Sequence, residues 1–265
     1  MMKKTLLTIL SVTMIILVIV SSCGNDNSDG VSPDDDISDN VATPISAFEE
    51  FNSSSVTVSF DGDEITIQSN ALPNHTSPYW PESNDLYVDP IVAVTSEISP
   101  GTIQEGSYSL TVSAAPGFAA NTTATGLGAI GISVTGVPIY NGSEGPTDVT
   151  AGVASGMDWA GGHNGPTGYH YHLEASNVEE NNGTISHDDH QLVGIMSDGF
   201  LLYGRRDSEN GDYPDDLDES GGHFGTTQHS DEPFYHYHVV NEIYLNQYYL
   251  LFGFVDLKGT PSVIL

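Results

Sequence analysis

Residues 161–174 read GGHNGPTGYHYHLE, and residues 221–239 read GGHFGTTQHSDEPFYHYHV. Both stretches end in a strict Tyr-His alternation, Tyr169 to His172 and Tyr235 to His238. Successive side chains of a β-strand point to opposite faces, so each run sets two tyrosines on one face and two histidines on the other. Residues two apart rise by about 6.7 Å, close enough for two imidazoles to turn toward one ion. The tyrosine faces continue into Leu173 and Val239, which points them at a core. The histidine faces continue into Glu174 and Val240.

The likeness extends upstream. MDWAGGHNGPT (157–167) aligns with LDESGGHFGTT (217–227) at an offset of 60, sharing Asp, Gly-Gly-His, Gly and Thr in register. Six histidines thus recur as equivalents: His163, His170 and His172, then His223, His236 and His238. With Asp158 and Asp218 they make two sets of one aspartate and three histidines. Neutral imidazole suits Zn, Cu and Fe, and an added carboxylate widens the choice toward Mn. Three protein ligands would leave a position for a metal-bound water, whereas four histidines drawn from both strands would close the site. Two further readings stand beside the metal. The strands can be polar on one face and aromatic on the other with no ion, or the histidines can serve as paired general acids and bases. No Gly-x-Ser-x-Gly elbow and no cysteine nucleophile accompanies them, which argues against a covalent hydrolase.

Period-2 patterns and turn dipeptides dominate the remainder. SSVTVSFDGDEITIQS predicts a hairpin around Asp61-Gly62, and QLVGIMSDGFLLYG another around Asp198-Gly199. LYVDPIVAVTSEI, SYSLTVSAA, Ile130–Val134 and Val137–Tyr140 read as strands, and Pro44 could open a short helix over Thr43–Asn52. The fold expected is mostly β, a sandwich or distorted barrel with long loops and an internal two-fold repeat of the GGH…YHYH unit. Equivalent strands of the two units are expected to meet near a pseudo-twofold axis.

Weaker candidates surround this pattern. His75 lies in a loop with two prolines nearby and could join the site from the first half of the chain. His187 and His190 sit beside Asp188 and Asp189, where a solvated loop is the plainer reading. Asp212, Asp215, Asp216, Asp218 and Glu219 form acidic loops that could take Ca²⁺, although they match no EF-hand.

The ends of the chain speak to location. Lys3 and Lys4 precede an apolar run from Leu6 to Val20, too short for a membrane span and followed by Val20-Ser21-Ser22-Cys23. This is similar to a bacterial lipobox, which implies a signal peptide over 1–22 and lipidation of Cys23, the one cysteine. Residues 23–45 then read as an acidic, flexible linker. Residues 46–265 form the β-domain, or a 46–128 subdomain followed by a His-rich 129–265 region. The net charge is −31, and only Arg205, Arg206 and Lys258 are basic beyond the first 22 residues. Such a chain offers no basic face to phosphates, so nucleic acid is excluded as a partner.

SNALPNH (69–75), GISVTGVPIYN (131–141), GGHNGPTGYHYHLE (161–174), LVGIMSDGFLLYG (192–204), LDESGGH (217–223) and YHYHV (235–239) together resemble the YHYH family of secreted or lipid-anchored bacterial proteins. The resemblance implies an envelope location and no particular reaction. Family members often carry a cysteine near the Gly-His turns, where this chain has Trp159-Ala160 and Ser220. The expectation is a lipid-anchored protein of the bacterial cell envelope, held to the membrane by its N-terminal lipid. Its His-rich site would bind Zn, Cu, Mn or Fe and could support hydrolytic or redox chemistry. The alternative is a non-catalytic module binding an extracellular glycan or protein.

Overall fold

The order of strands follows directly from the turn chemistry. The structure, a computed structural model, describes residues 42–90, 98–145, 147–172, 174–176, 189–208, 211–241, 243–246, 250–252 and 257–265. After a 3-10 turn over Ile45–Glu50, preceded by Pro44, β1 (Val56–Asp61) and β2 (Glu64–Ser69) make the expected hairpin. Gly62 takes the left-handed φ of +60° that this turn requires. β3 (Tyr108–Ser113) adds to the far side of β2. LYVDP contributes only an isolated bridge from Tyr87 to Ser77, and residues 91–97 lie outside those described.

β4 (Phe118–Thr123) is followed by the hairpin of β5 (Ala129–Ser133) and β6 (Pro138–Tyr140). β7 (Ser143–Glu144) and β8 (Thr147–Asp148) form a small separate ribbon, and α1 (Ala151–Ala154) is a single turn capped by Thr150. β9 (Gly162–Gly165) and β10 (Gly168–Tyr171) carry the first Gly-Gly-His and Tyr-His run. After β11 (Glu174–Ser176), β12 (Leu192–Met196) and β13 (Leu201–Tyr203) make the hairpin expected around Gly199. β14 (Gly222–Thr227) and β15 (Ser230–His238) carry the second run. β16 (Ile243–Asn246) and β17 (Leu250–Phe252) pair with each other, β11 pairs with β17, and β18 (Leu257–Gly259) pairs with β4.

One eight-stranded sheet organises these pieces, in the order β14-β15-β13-β12-β5-β6-β10-β9. Its centre is the antiparallel β5–β12 pair, where Ile132 faces Ile195. Moving outward on either side, the chain crosses an antiparallel hairpin, a parallel step and another antiparallel hairpin. The parallel steps set Tyr171 beside Ile139 and Tyr237 beside Leu202. The two Tyr-His strands therefore do not meet. Five inter-strand steps separate β10 from β15, about 24 Å along the sheet. The sheet does not close into a barrel, so of the two expected architectures only the open, layered one applies.

Each face of the sheet has its own core. Tyr169, Tyr171, Tyr235 and Tyr237 share one face with Val137, Ile139, Phe200 and Leu202, covered by Tyr79, Trp80, Ile103 and Trp159. On the other face Ile132, Ile195, Leu201 and Tyr203 pack against Ile65, Ile67, Leu110 and Val112 of the β1–β3 sheet. That smaller sheet covers the middle of the second face, where the histidines flank it on both sides. Tyr169 and Tyr171 of β10 and Tyr235 and Tyr237 of β15 are thereby anchored in the first of these cores.

Candidate metal centres

Each Gly-Gly-His turn is built the same way. The Asp158 amide donates to Gly162 O, Gly161 N to Asp158 O, and His172 N to Gly161 O. In the second copy Asp218 N donates to Gly222 O, Gly221 N to Asp218 O, and His238 N to Gly221 O. Gly161 and Gly221 hold φ of +75° and +80°, a conformation that side chains resist. Asp158 Oδ1 accepts from the amides of Ala160 and Gly162, at 3.0 and 3.2 Å, and its Oδ2 accepts from Tyr169 OH and Ser77 OH, both at 2.5 Å. Asp218 repeats this with Ser220 N, Gly222 N and Tyr235 OH, and pairs with Lys258 at 3.1 Å. Both aspartates, expected among the ligands or behind their imidazoles, thus bind their own turn and the tyrosine on the core face. An Asx-type turn uses a carboxylate in this way, which is why Asp stands four residues before the second glycine.

The histidines do converge, as two groups of three. In the first, His170 Nε2 lies 3.0 Å from His172 Nε2, and Glu144 Oε2 lies 2.8 Å from His172 Nε2 and 3.3 Å from His163 Nε2. In the second, His238 Nε2 lies 3.0 Å from His236 Nε2 and 3.2 Å from His223 Nε2. Asp207 Oδ1 reaches all three, at 3.0 Å from His223, 3.2 Å from His236 and 3.1 Å from His238. All six imidazoles are buried, His236 and His238 completely.

The opposite ring nitrogens decide what these contacts are. His170 Nδ1 donates to Gly168 O and His172 Nδ1 to Asn141 O, at 2.9 and 2.6 Å. His236 Nδ1 donates to Phe234 O and His238 Nδ1 to Gly204 O, at 3.0 and 2.6 Å. A carbonyl can only accept, so each Nδ1 holds a ring proton, and in the neutral ring the lone pair on Nε2 faces inward. Two lone pairs 3.0 Å apart repel unless a cation lies between them. His163 Nε2 is also buried without a hydrogen-bond partner. These donors fit a metal ion. Metal–nitrogen bonds of about 2.0–2.1 Å in tetrahedral geometry put donor atoms about 3.3 Å apart.

The first centre resists protonation. Burial, aided by the charge of neighbouring imidazoles, lowers the His163 pKa to about 4 and the His170 pKa to about 3. In the second, burial opposes the Asp207 carboxylate, but its contacts with the histidines, His223 foremost, outweigh it and hold this group well below the usual carboxylate range. Burial also opposes charge on His223, yet Asp207 and Asp216 raise its pKa.

Sequence reasoning missed Glu144 and Asp207. A second alignment, at an offset of 63, contains them both. GISVTGVPIYNGSE (131–144) lies over GIMSDGFLLYGRRD (194–207), matching Gly131-Ile132 with Gly194-Ile195, Tyr140 with Tyr203 and Glu144 with Asp207. The structure uses the same correspondence, since Asn141 O and Gly204 O, also 63 apart, receive the Nδ1 protons of His172 and His238. His75, by contrast, is fully buried on the tyrosine face, bonded to Tyr171 OH at 2.8 Å and packed against Trp159. In the acidic loop, Asp216 bonds His223 at 2.8 Å and Glu219 bonds Thr122 at 2.9 Å, and no third group of converging ligands forms among the described residues. Arg205 pairs with Asp189. His187, Cys23 and the apolar run Leu6–Val20 lie outside the described residues.

Fold and site together define an open β-sheet protein with two buried centres, each of three imidazoles and one carboxylate. Residues 109–215 match the family described as YHYH protein, so the chain contains a YHYH domain. The match includes the whole first centre and Asp207, while the second Gly-Gly-His and Tyr-His run lies beyond it. None of the curated proteins and none of the solved structures matches the chain.

Two outcomes follow from this geometry. A methyl at Gly225 would stand 2.8 Å from His223 Nε2 and 3.1 Å from Asp207 Oδ1. Gly225→Ala should therefore block the second centre and halve the bound metal, with the circular dichroism spectrum retained; full metal content would refute the occlusion. Separately, His163 and His170 titrate below the ordinary 6.5, so folding favours their neutral forms. That contribution is complete above pH 6.5 and is lost as the pH falls toward 4 and below. Metal-free protein should need progressively less urea to unfold between pH 6.5 and 4, and a His163→Gln variant should show a shallower decline.

Proposed function

We propose that this protein is a lipid-anchored, extracytoplasmic metal-binding protein whose two centres each hold one transition-metal ion. The carrying observation is the pair of facing Nε2 atoms, 3.0 Å apart in each centre, with both Nδ1 protons committed to carbonyls. Among Zn, Cu, Mn and Fe, the geometry favours Zn(II). Five of the six donor pairs in the second centre lie between 3.0 and 3.2 Å. A square plane, the habit of Cu(II), needs two pairs about 4 Å apart. A donor set rich in imidazole disfavours Mn. Four protein donors also fill a tetrahedral shell, so the reading is one of binding and stabilisation rather than catalysis.

The location rests on the sequence: Lys3 and Lys4, the apolar run Leu6–Val20, and Cys23 directly after two serines. Among the described residues no helix is long and apolar enough to cross a membrane. In this reading lipid on Cys23 holds the protein to its membrane.

The metal is tested on untagged protein reloaded with Zn(II), Cu(II), Mn(II) and Fe(II) in turn. Zn(II) should reach about two equivalents and raise the melting temperature, because an ion bound only by the native state stabilises it. Less than about a tenth of an equivalent of any of the four ions would sink the proposal. The anchor is tested by growing cells with labelled palmitate. Label should enter the wild-type chain and be absent from Cys23→Ser; equal labelling of both would remove Cys23 as the anchor.

A further inference from the structure

The two centres share a plan but differ in three respects. The first is the reach of the carboxylate. Asp207 Oδ1 contacts all three imidazoles of its group within 3.0–3.2 Å, whereas Glu144 Oε2 contacts only two, at 2.8 and 3.3 Å. The second is the group behind the third histidine. His223 Nδ1 donates to the carboxylate of Asp216 at 2.8 Å, while its counterpart His163 Nδ1 meets the hydroxyl of Ser99 at 2.9 Å. The third follows from the second. A carboxylate can only accept, so Asp216 holds a proton on Nδ1 of His223 and leaves Nε2 as the nitrogen that an ion would take. A hydroxyl serves as donor or acceptor, so Ser99 leaves the His163 tautomer free. The Asp207 centre therefore has its Nδ1 protons fixed at all three imidazoles and the Glu144 centre at two.

Resting on the metal-binding reading above, we infer that the Asp207–His223–His236–His238 centre is the high-affinity site and the Glu144–His163–His170–His172 centre the exchangeable one, with Asp216 as the positioning residue that separates them. Asp216 touches no other member of the ligand group in this arrangement and acts through His223. A carboxylate behind a ligating imidazole raises its basicity and fixes its orientation, and removing such a partner typically weakens metal binding 10–100-fold. The same factor is the expected gap between the centres. One ion is then held permanently, while the second loads and empties with the surrounding free-metal concentration.

The test titrates Zn(II) into the chelator-stripped full chain against a chromophoric competitor. Two steps of one equivalent each are expected, separated by about 10–100-fold in Kd. His238→Ala should abolish the tight step and His172→Ala the weak one. Asp216→Asn should weaken the tight step by about tenfold or more, with Asp216→Glu restoring most of it. In Co(II)-loaded protein Asp216→Asn should also shift the visible bands of the tight equivalent, a change that a packing defect elsewhere would not produce. Two equal affinities would overturn the inference while leaving the metal-binding reading intact. So would a tight step lost in His172→Ala, or a tight step unchanged in Asp216→Asn. Failure of the wild-type chain to bind Zn(II) at all would remove both.

Discussion

Repulsion between buried lone pairs sets the terms for this structure. In each centre, hydrogen bonds on the outer edges of two imidazoles force their inner nitrogens to face one another. The rings are buried, so bulk water does not screen the conflict. A divalent ion bound by three imidazoles and a carboxylate would relieve it. The remaining features of each unit supply the conditions for that meeting. The Asp-x-x-Gly-Gly turn brings the third histidine alongside, and the tyrosines on the opposite face lock the strand against rotation.

Tyr169, Tyr171, Tyr235 and Tyr237 do more than fill space. Their hydroxyls bond Asp158, His75 with Thr135, Asp218 and Asp198, so each is fixed at both the ring and the tip. Burial, with the charge of Asp158 added, pushes the Tyr169 hydroxyl well above its ordinary range and keeps it a donor. The glycines show the same economy of space. A side-chain carbon at Gly162 would collide with the Tyr169 hydroxyl at 2.6 Å, and one at Gly165 with His170 Cε1 at 2.7 Å. The fixed letters of the motif thus separate into ligands, supports for ligands and clearances for both.

Much of this was legible in the chain. Alternation of Tyr with His placed the two faces correctly, and the offset of 60 grouped the six histidines. The carboxylates were hidden for a physical reason. Asp158 and Asp218 stand beside the histidines in sequence, but a carboxylate so close to a Gly-Gly turn is captured by the turn's own amides. Glu144 and Asp207 instead lie just beyond the ends of β6 and β13, the strands paired in parallel with β10 and β15, and pairing across a sheet leaves no trace in local spacing. For the same reason the sequence suggested that the two Tyr-His strands might meet, whereas two central hairpins keep them apart.

Each ligand group also occupies a short span of chain, from Glu144 to His172 and from Asp207 to His238. Closing a loop of about 30 residues costs little more entropy than closing one of 15. Contacts local in sequence also form early relative to distant ones. Each half of the sheet can accordingly order around its own histidine group before Ile132 and Ile195 come together at the centre. Assembly can then proceed in two local steps and one docking step, with no long-range search to bring each group of histidines and its carboxylate together.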